Sequence, residues 1–328
     1  MVIVQLAGGL GNQMFQYALY LQLKSLGREV KIDDVSGFVE DAQREPALAP
    51  FGVTYERPTK KELRKMLDSS MMPWQRVRRK LFGRHKKSYF EETKFFIPEV
   101  FTRDDIYLEG YWQSEQYFQA VADQVREAYD TDRLIRFLEE KGLWNGDSRC
   151  EKENGGRREG GCSGADGAGG EMKSAAQYLR EMDNECSVCV HVRRGDYLTP
   201  ENQTLFGGIC TDAYYIEGIR QMRERYPQCR FYLFCNDKEW ESGGIWKAED
   251  IEKVVLLGDQ RDVDYAEFVL MARCKHHILA NSSFSWWASY LNSNPEKTVL
   301  APERWLNGPD CRDCYRGDMH RIVLGTKR

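Results

Sequence analysis

The chain has no apolar run long enough to cross a bilayer as a helix, which takes about 20 consecutive residues. Its first residues, MVIVQLAGGLGNQ, hold no basic segment followed by a long apolar stretch, so no secretory leader is expected and a cytoplasmic location is. Neither charge dominates: 47 Lys and Arg against 51 Asp and Glu give a net charge of −4, which provides no basic field for nucleic acid. Two nucleotide signatures are also missing. The glycines of Gly8-Gly9-Leu10-Gly11-Asn12 lack the G-x-G-x-x-G spacing of a dinucleotide fingerprint, and no Lys-Ser/Thr pair follows them as in a P-loop. No internal repeat is visible.

What is present describes a soluble globular protein. Hydrophobic residues make up 41% and charged residues 30% of 328, a length that accommodates two domains. The ten cysteines are expected to be mostly free and buried in a reducing compartment. Cys186-x2-Cys189 and Cys311-x2-Cys314 have the spacing of zinc half-sites, but the gap between them far exceeds that of a zinc ribbon, and free thiols are the expectation. The sequons at Asn202 and Asn281 carry meaning only in a secreted chain, and Arg194-Gly195-Asp196 reads as a strand-end turn.

The order of segments is that of an α/β protein. Val2 to Leu6 predicts a strand, the glycines a loop, and Gln13 to Leu26 a helix with Phe15, Leu19 and Leu23 on one stripe and Gly27 as its stop. Such a loop brings ligand close to backbone amides, or it is a tight turn that only permits packing. Val30 to Ile32 and Ile106 to Leu108 predict further strands. After the latter, Tyr111 and Trp112 either offer flat faces to a sugar ring or belong to the core. Residues 145–171, rich in glycine and charge, supply almost no core and predict a flexible linker or loop between domains 1–144 and 172–328. Between Trp74 and Lys87, seven basic residues run without an acid. They form a solvated helix face, or a peripheral contact with the inner membrane face through Arg76 to Lys87. The second half alternates strands (ending at Val192, near 231–234, 254–257, 277–280 and 299–300) with helices (near 212–225 and 264–274, and one opening after Asn281). That alternation predicts a parallel sheet with both faces covered.

The chain is organised around His191-Val192-Arg193-Arg194-Gly195-Asp196-Tyr197. Val188, Val190 and Val192 alternate as on a strand, which places His191 and the arginines at its carboxyl end, where ligands of open α/β sheets bind. Adjacent arginines leave a straight strand on opposite faces, so one meets the ligand and the other braces a carboxylate. A guanidinium there suits a diphosphate, or it only shapes the loop.

HVRRGDY at 191–197, CKHHILANSSFSWWASYLN at 274–292, GGLGNQMFQYA at 8–18 and GYWQSEQYF at 110–118 together resemble the α-1,2-fucosyltransferases of glycosyltransferase family 11. The glycine-rich insertion at 145–171 departs from that family's compact pattern. The resemblance implies a GT-B-like architecture, two Rossmann-like domains facing across a cleft, with the acceptor on the N-terminal side and the donor on the C-terminal side. It implies GDP-fucose as donor, inversion at the anomeric carbon, no cofactor and no required metal. It implies a galactose-terminated oligosaccharide or glycolipid precursor as acceptor, joined through an α-1,2 bond. Arg193 aligns with the arginine that meets the donor's β-phosphate in related fucosyltransferases, and Glu267 stands where they place an acid that reads guanine. His191, Arg194, Asn281, Ser282 and Ser283 complete the expected donor side. The two serines hold phosphate, or one of them only caps a helix. Gly11, Asn12 and Trp112 are expected on the acceptor or fucose side. Asp196 and Glu201 are the candidate general bases: Glu201 matches by spacing the acid given this role in a related family, and Asp196 alternatively braces Arg194. Trp286 and Trp287 are expected to pack. Transfer from another GDP-sugar, or carbohydrate binding without catalysis, are the competing readings.

Overall fold

A computed structural model describes the chain except residues 42, 68–72, 84–88, 93–94, 146–172, 237–250, 309 and 325–328. It also leaves aside the side chains of residues 67, 73, 75, 76, 79, 89, 91, 196, 198 and 201. Most of the linker expected at 145–171 therefore lies outside the described residues. Among the described residues no helix is long and apolar enough to cross a membrane.

The N-terminal half is a four-stranded parallel sheet in the order β2-β1-β4-β3, from β1 (Val2–Gln5), β2 (Val30–Asp33), β3 (Tyr89–Glu91) and β4 (Ile106–Glu109). Val2, Ile3 and Val4 are fully buried, as expected of a strand covered on both faces. The crossover helix α1 (Leu10–Ser25) starts three residues before the expected Gln13. Gly9 is its N-cap, and its carbonyl already accepts from Asn12 N at 3.0 Å and Gln13 N at 3.1 Å, so Gly11 and Asn12 lie in the first turn. At the other end Arg28 N returns to Leu23 O and Gly27 N to Lys24 O with Gly27 at φ 73°, the paired bonds of a left-handed glycine stop. Helices α2 (Lys60–Leu67) and α3 (Pro73–Phe82) precede β3, while α4 (Ala122–Ala128) and α5 (Thr131–Glu140) follow β4.

The C-terminal half carries α6 (Ala175–Asn184), β5 (Ser187–Val192), α7 (Pro200–Phe206), α8 (Asp212–Arg225), β6 (Arg230–Cys235) and β7 (Ile251–Lys253). They are followed by α9 (Gln260–Arg273), β8 (His276–Ile278), α10 (Ser283–Leu291), β9 (Val299–Pro302) and β10 (Met319–Ile322). All six strands are parallel, in the order β10-β9-β8-β5-β6-β7. Thr211 caps α8 by accepting from Tyr214 N, as expected, whereas Asp259 caps α9 and starts it four residues before the expected Asp264. The strand expected at Val254 to Leu257 is displaced to Ile251–Lys253, and Leu257 is 68% exposed. β10 was not anticipated; its Met-His-Arg-Ile pattern buries one apolar residue on each face of the sheet, Met319 and Ile322.

Aromatic side chains weld the halves together. Phe15 of α1 packs against Trp286 and Trp287 of α10, with ring centroids 4.6 and 4.8 Å away, and Phe118 stacks on Trp287. Both tryptophans are fully buried, and Trp287 Nε1 donates to Gly11 O at 2.9 Å. At this crossing a Cβ on Gly11 would lie 2.6 Å from the Ser283 carbonyl carbon, so the two helix starts approach as closely as glycine permits. Gly11→Ala should therefore push α1 and α10 apart and cost about 1–3 kcal/mol. The expected result is a lower melting temperature together with weaker donor binding; an unchanged melting temperature would show that the crossing relaxes without loss.

Candidate active site

In the C-terminal sheet the connections of adjacent strands leave in opposite directions between β5 and β8, and ligands of open α/β sheets bind at such points. In the N-terminal sheet β1 and β4 lie side by side at the centre. The loops leaving all four strand ends line one cavity of about 940 Å³, within the range of small-molecule sites. Gly8, Gly9, Gly11, Asn12, Tyr111 and Gln113 come from the first sheet, and His191, Arg193, Asn281, Ser282 and Ser283 from the second.

Strand alternation decides the arginines on the C-terminal side. Arg193 lines the cavity, near the Tyr197 ring, while Arg194 is not among the lining residues and its backbone N donates to Asn236 Oδ1 at 3.0 Å. Tyr197 stacks on Phe206 and donates to Asn281 O at 2.9 Å, which ties the segment after β5 to the end of β8. His191 is buried, with no hydrogen-bond partner for Nδ1 among the described residues. Burial, then the neighbouring Arg193, pushes its pKa down to about 3, so the ring is neutral near pH 7.

The start of α10 lines the cavity with Ser282, Ser283 and Phe284. Ser282 is its cap, accepting from Phe284 N at 3.3 Å, and Ser283 opens the first turn. The Asn281 side chain is engaged away from ligand, donating to Trp305 O and accepting from the Cys210 thiol. Asn281 therefore shapes the loop through its side chain and can face a ligand only through its backbone.

Two acids on α9 share the Arg193 field. Glu267 is half-buried in the cavity wall, and desolvation, with Asp264 adding and Arg193 opposing, pushes it up to about 8. Asp264 is likewise raised by desolvation, against a bond from Gln260 and the pull of Arg193. Asp264 was missed in the sequence, although Asp262-Val263-Asp264 is an acid pair visible there. On the helix its two members diverge: Asp262 pairs with Lys141 at 2.8 Å, while Asp264 lines the cavity. The cysteine pairs also part, Cys189 being buried in β5 while Cys311 and Cys314 line the cleft. Among the described residues no group of three or more His, Cys, Asp or Glu side chains is placed to hold a metal ion.

On the N-terminal side Asn12 is positioned by Gln113, whose Nε2 donates to Asn12 Oδ1 at 2.7 Å. Trp112 does not belong to this wall. It is fully buried, adopts φ 56° and stacks on Phe90, so that its neighbours Tyr111 and Gln113 turn toward the cleft in its place. Glu92 also lines the cavity and accepts from Tyr111 N at 2.7 Å. No motif marked Glu92; only the parallel pairing of β3 with β4 brings it beside Tyr111. The buried Gln13 fastens residues 45–47 beside the mouth, donating to Gly8 O and Glu45 O and accepting from Ala47 N. Glu45 forms an ion pair with Arg261 of the opposite half. The side chains of Asp196 and Glu201 lie outside the described part; their backbones belong to the turn Gly195–Leu198 and to α7.

Residues 173–318 match the family model for glycosyl transferase family 11. An α-1,2-colitosyltransferase of Escherichia coli is 27% identical over 93% of this chain and 92% of its own length. Galactoside α-(1,2)-fucosyltransferase 1 of Saimiri sciureus is 36% identical over 32% of this chain and 28% of its own length. The crystal structure of the fucosyltransferase NodZ from Bradyrhizobium aligns over 88% of this chain and 92% of its own, with 14% identity and a TM-score of 0.39. Two parallel α/β halves across a cleft form a GT-B-like architecture, and residues 173–318 of its C-terminal half are similar to glycosyl transferase family 11.

Proposed function

We propose that the protein moves L-fucose from GDP-fucose to a hydroxyl of a galactoside, forming an α-1,2 linkage with inversion. The observation that carries this reading is the meeting of the β5/β8 switch point and the central strand ends β1 and β4 in one cavity. Arg193 and the start of α10 form one wall, and the hydrogen-bonded Asn12–Gln113 pair forms the opposite wall. A cation and helix-terminal amides suit a diphosphate, and neutral amide side chains suit sugar hydroxyls.

In the reaction the acceptor oxygen attacks the anomeric carbon as the bond from that carbon to the β-phosphate oxygen breaks. Negative charge grows on GDP, and the Arg193 fork together with the amides at the start of α10 stabilises it in place. The acceptor proton passes to a general base; Asp196 and Glu201, which follow Arg194 in the chain, are proposed for it. The α-1,2 specificity draws support from the names of the relatives in Escherichia coli and Saimiri sciureus. The former also favours a second reading, in which another GDP-sugar such as GDP-colitose is the donor.

The test is incubation with GDP-fucose or GDP-colitose and a panel of galactosides, with and without EDTA, reading GDP release and product linkage. The expected result is an α-1,2-fucosyl product that persists in EDTA. Turnover only with GDP-colitose would replace the donor, loss of activity in EDTA restored by Mg²⁺ or Mn²⁺ would overturn metal independence, and no turnover with either would leave a binding protein.

A further inference from the structure

The cleft leaves one amphipathic element unused. Between Trp74 and Lys87 the chain carries Arg76, Arg78, Arg79, Lys80, Arg84, Lys86 and Lys87 and no acid. The first part forms α3, Pro73–Phe82. At about 100° per residue, positions 74, 77 and 81 share a face with 82 beside them and Arg78 between 74 and 82, while Lys80 falls on the other side. That apolar face is not folded inward: Trp74 is 62%, Val77 57%, Leu81 70% and Phe82 80% exposed. By contrast, α2 just before it buries Met66 against Ile3 and Tyr107 of the sheet.

We propose that α3 docks this protein on a bilayer containing anionic phospholipid. Trp74, Val77, Leu81 and Phe82 enter the boundary between head groups and acyl chains, and Arg78 and Lys80 of the same helix meet lipid phosphates. Charge complementarity selects this occupant. A second copy of the chain would set a segment with seven cations and no acid in its sequence against its like, whereas an anionic surface complements that charge. A tryptophan beside cations is also the composition favoured at membrane interfaces. From α3 the chain passes through β3 to Glu92, Phe95 and Phe96, which line the cleft, so docking would hold the N-terminal wall of the site near the bilayer. The proposal does not rest on the identity of the donor sugar.

The experiment is flotation of the whole protein with vesicles of phosphatidylcholine alone, or mixed with phosphatidylglycerol, at low and high salt. The unmodified protein is expected to float with the anionic vesicles at low salt only. The combined variant Trp74→Ser, Leu81→Ser, Phe82→Ser should lose about tenfold or more of its vesicle partition while keeping its melting temperature and its turnover of soluble substrates. The pair Arg78→Glu, Lys80→Glu should lose a comparable share through charge alone, and serves if the first variant fails to fold. Failure of the unmodified protein to float, binding equal in the variants, or a concentration-dependent dimer abolished by the serine changes without any vesicle binding would each overturn the proposal.

Discussion

Arg193→Ala is expected to lower kcat/KM for the GDP-sugar by at least about a hundredfold, on the order of 3 kcal/mol of transition-state stabilisation. Arg193 follows the strand at the centre of the C-terminal sheet, lines the cavity, and lies near enough to influence His191, Asp264 and Glu267. Removing it takes away the cation whose field reaches Asp264 and Glu267 and leaves those two acids less opposed in the cavity wall. Arg193→Lys should recover little, because an ammonium cannot reproduce two parallel bonds to phosphate oxygens. Arg194→Ala should act differently, since that residue does not line the cavity. A lower melting temperature with a smaller loss of activity is expected there. Steady-state kinetics, GDP affinity and melting temperature of the three variants check this, and an active Arg193→Ala protein with undiminished GDP affinity would remove Arg193 from the donor site.

The parts of this fold that could be read in the sequence were those governed by local chemistry. Strand β5 announced itself through its alternating valines, α8 through Thr211, and the end of α1 through Gly27, because each depends on neighbours in the chain. Elements held by distant partners were harder to place. β10 buries a single apolar residue on each face, Met319 and Ile322, and is placed by its pairing with β9. The start of α1 was misplaced because Gly11 normally disfavours a helix, whereas here its missing side chain lets α10 approach. The same division holds in the site. Strand alternation separated Arg193 from Arg194 and the family resemblance chose between them, but Glu92 and Gln113 become wall residues only when β3 and β4 are set in register. Trp112 looked suited to a sugar because it is aromatic and next to Tyr111. Its positive φ turns it into the core, a feature no side-chain pattern announces.

Glu267→Gln is expected to separate stability from donor recognition as pH changes. The Glu267 carboxyl is lifted from its ordinary 4.5 to about 8, chiefly by desolvation. The folded protein thus holds this proton more tightly than the unfolded chain does. The stability it contributes is full below about pH 4.5 and is lost as pH rises through about 8. A neutral glutamine escapes that loss. The free variant should match the unmodified protein near pH 5 and exceed it above pH 8, by on the order of 2–4 kcal/mol. Recognition should move the other way. If Glu267 reads guanine, its carboxylate accepts from N1 and N2 of the base, so the donor binds the ionised form. GDP binding should then release a proton below pH 8 and tighten as pH rises from about 6 to 8, the window set by the raised pKa. Glutamine offers one acceptor and sets an amide donor against the other guanine donor. Affinity should fall about ten- to a hundredfold, with the pH dependence gone. Calorimetry in two buffers of different ionisation enthalpy, from pH 6 to 9, measures affinity and proton release together, and thermal unfolding over the same range measures stability. A variant that gains stability yet binds GDP as tightly as before would keep the buried acid and remove it from guanine recognition; unchanged stability at pH 8.5 would show that Glu267 is well solvated.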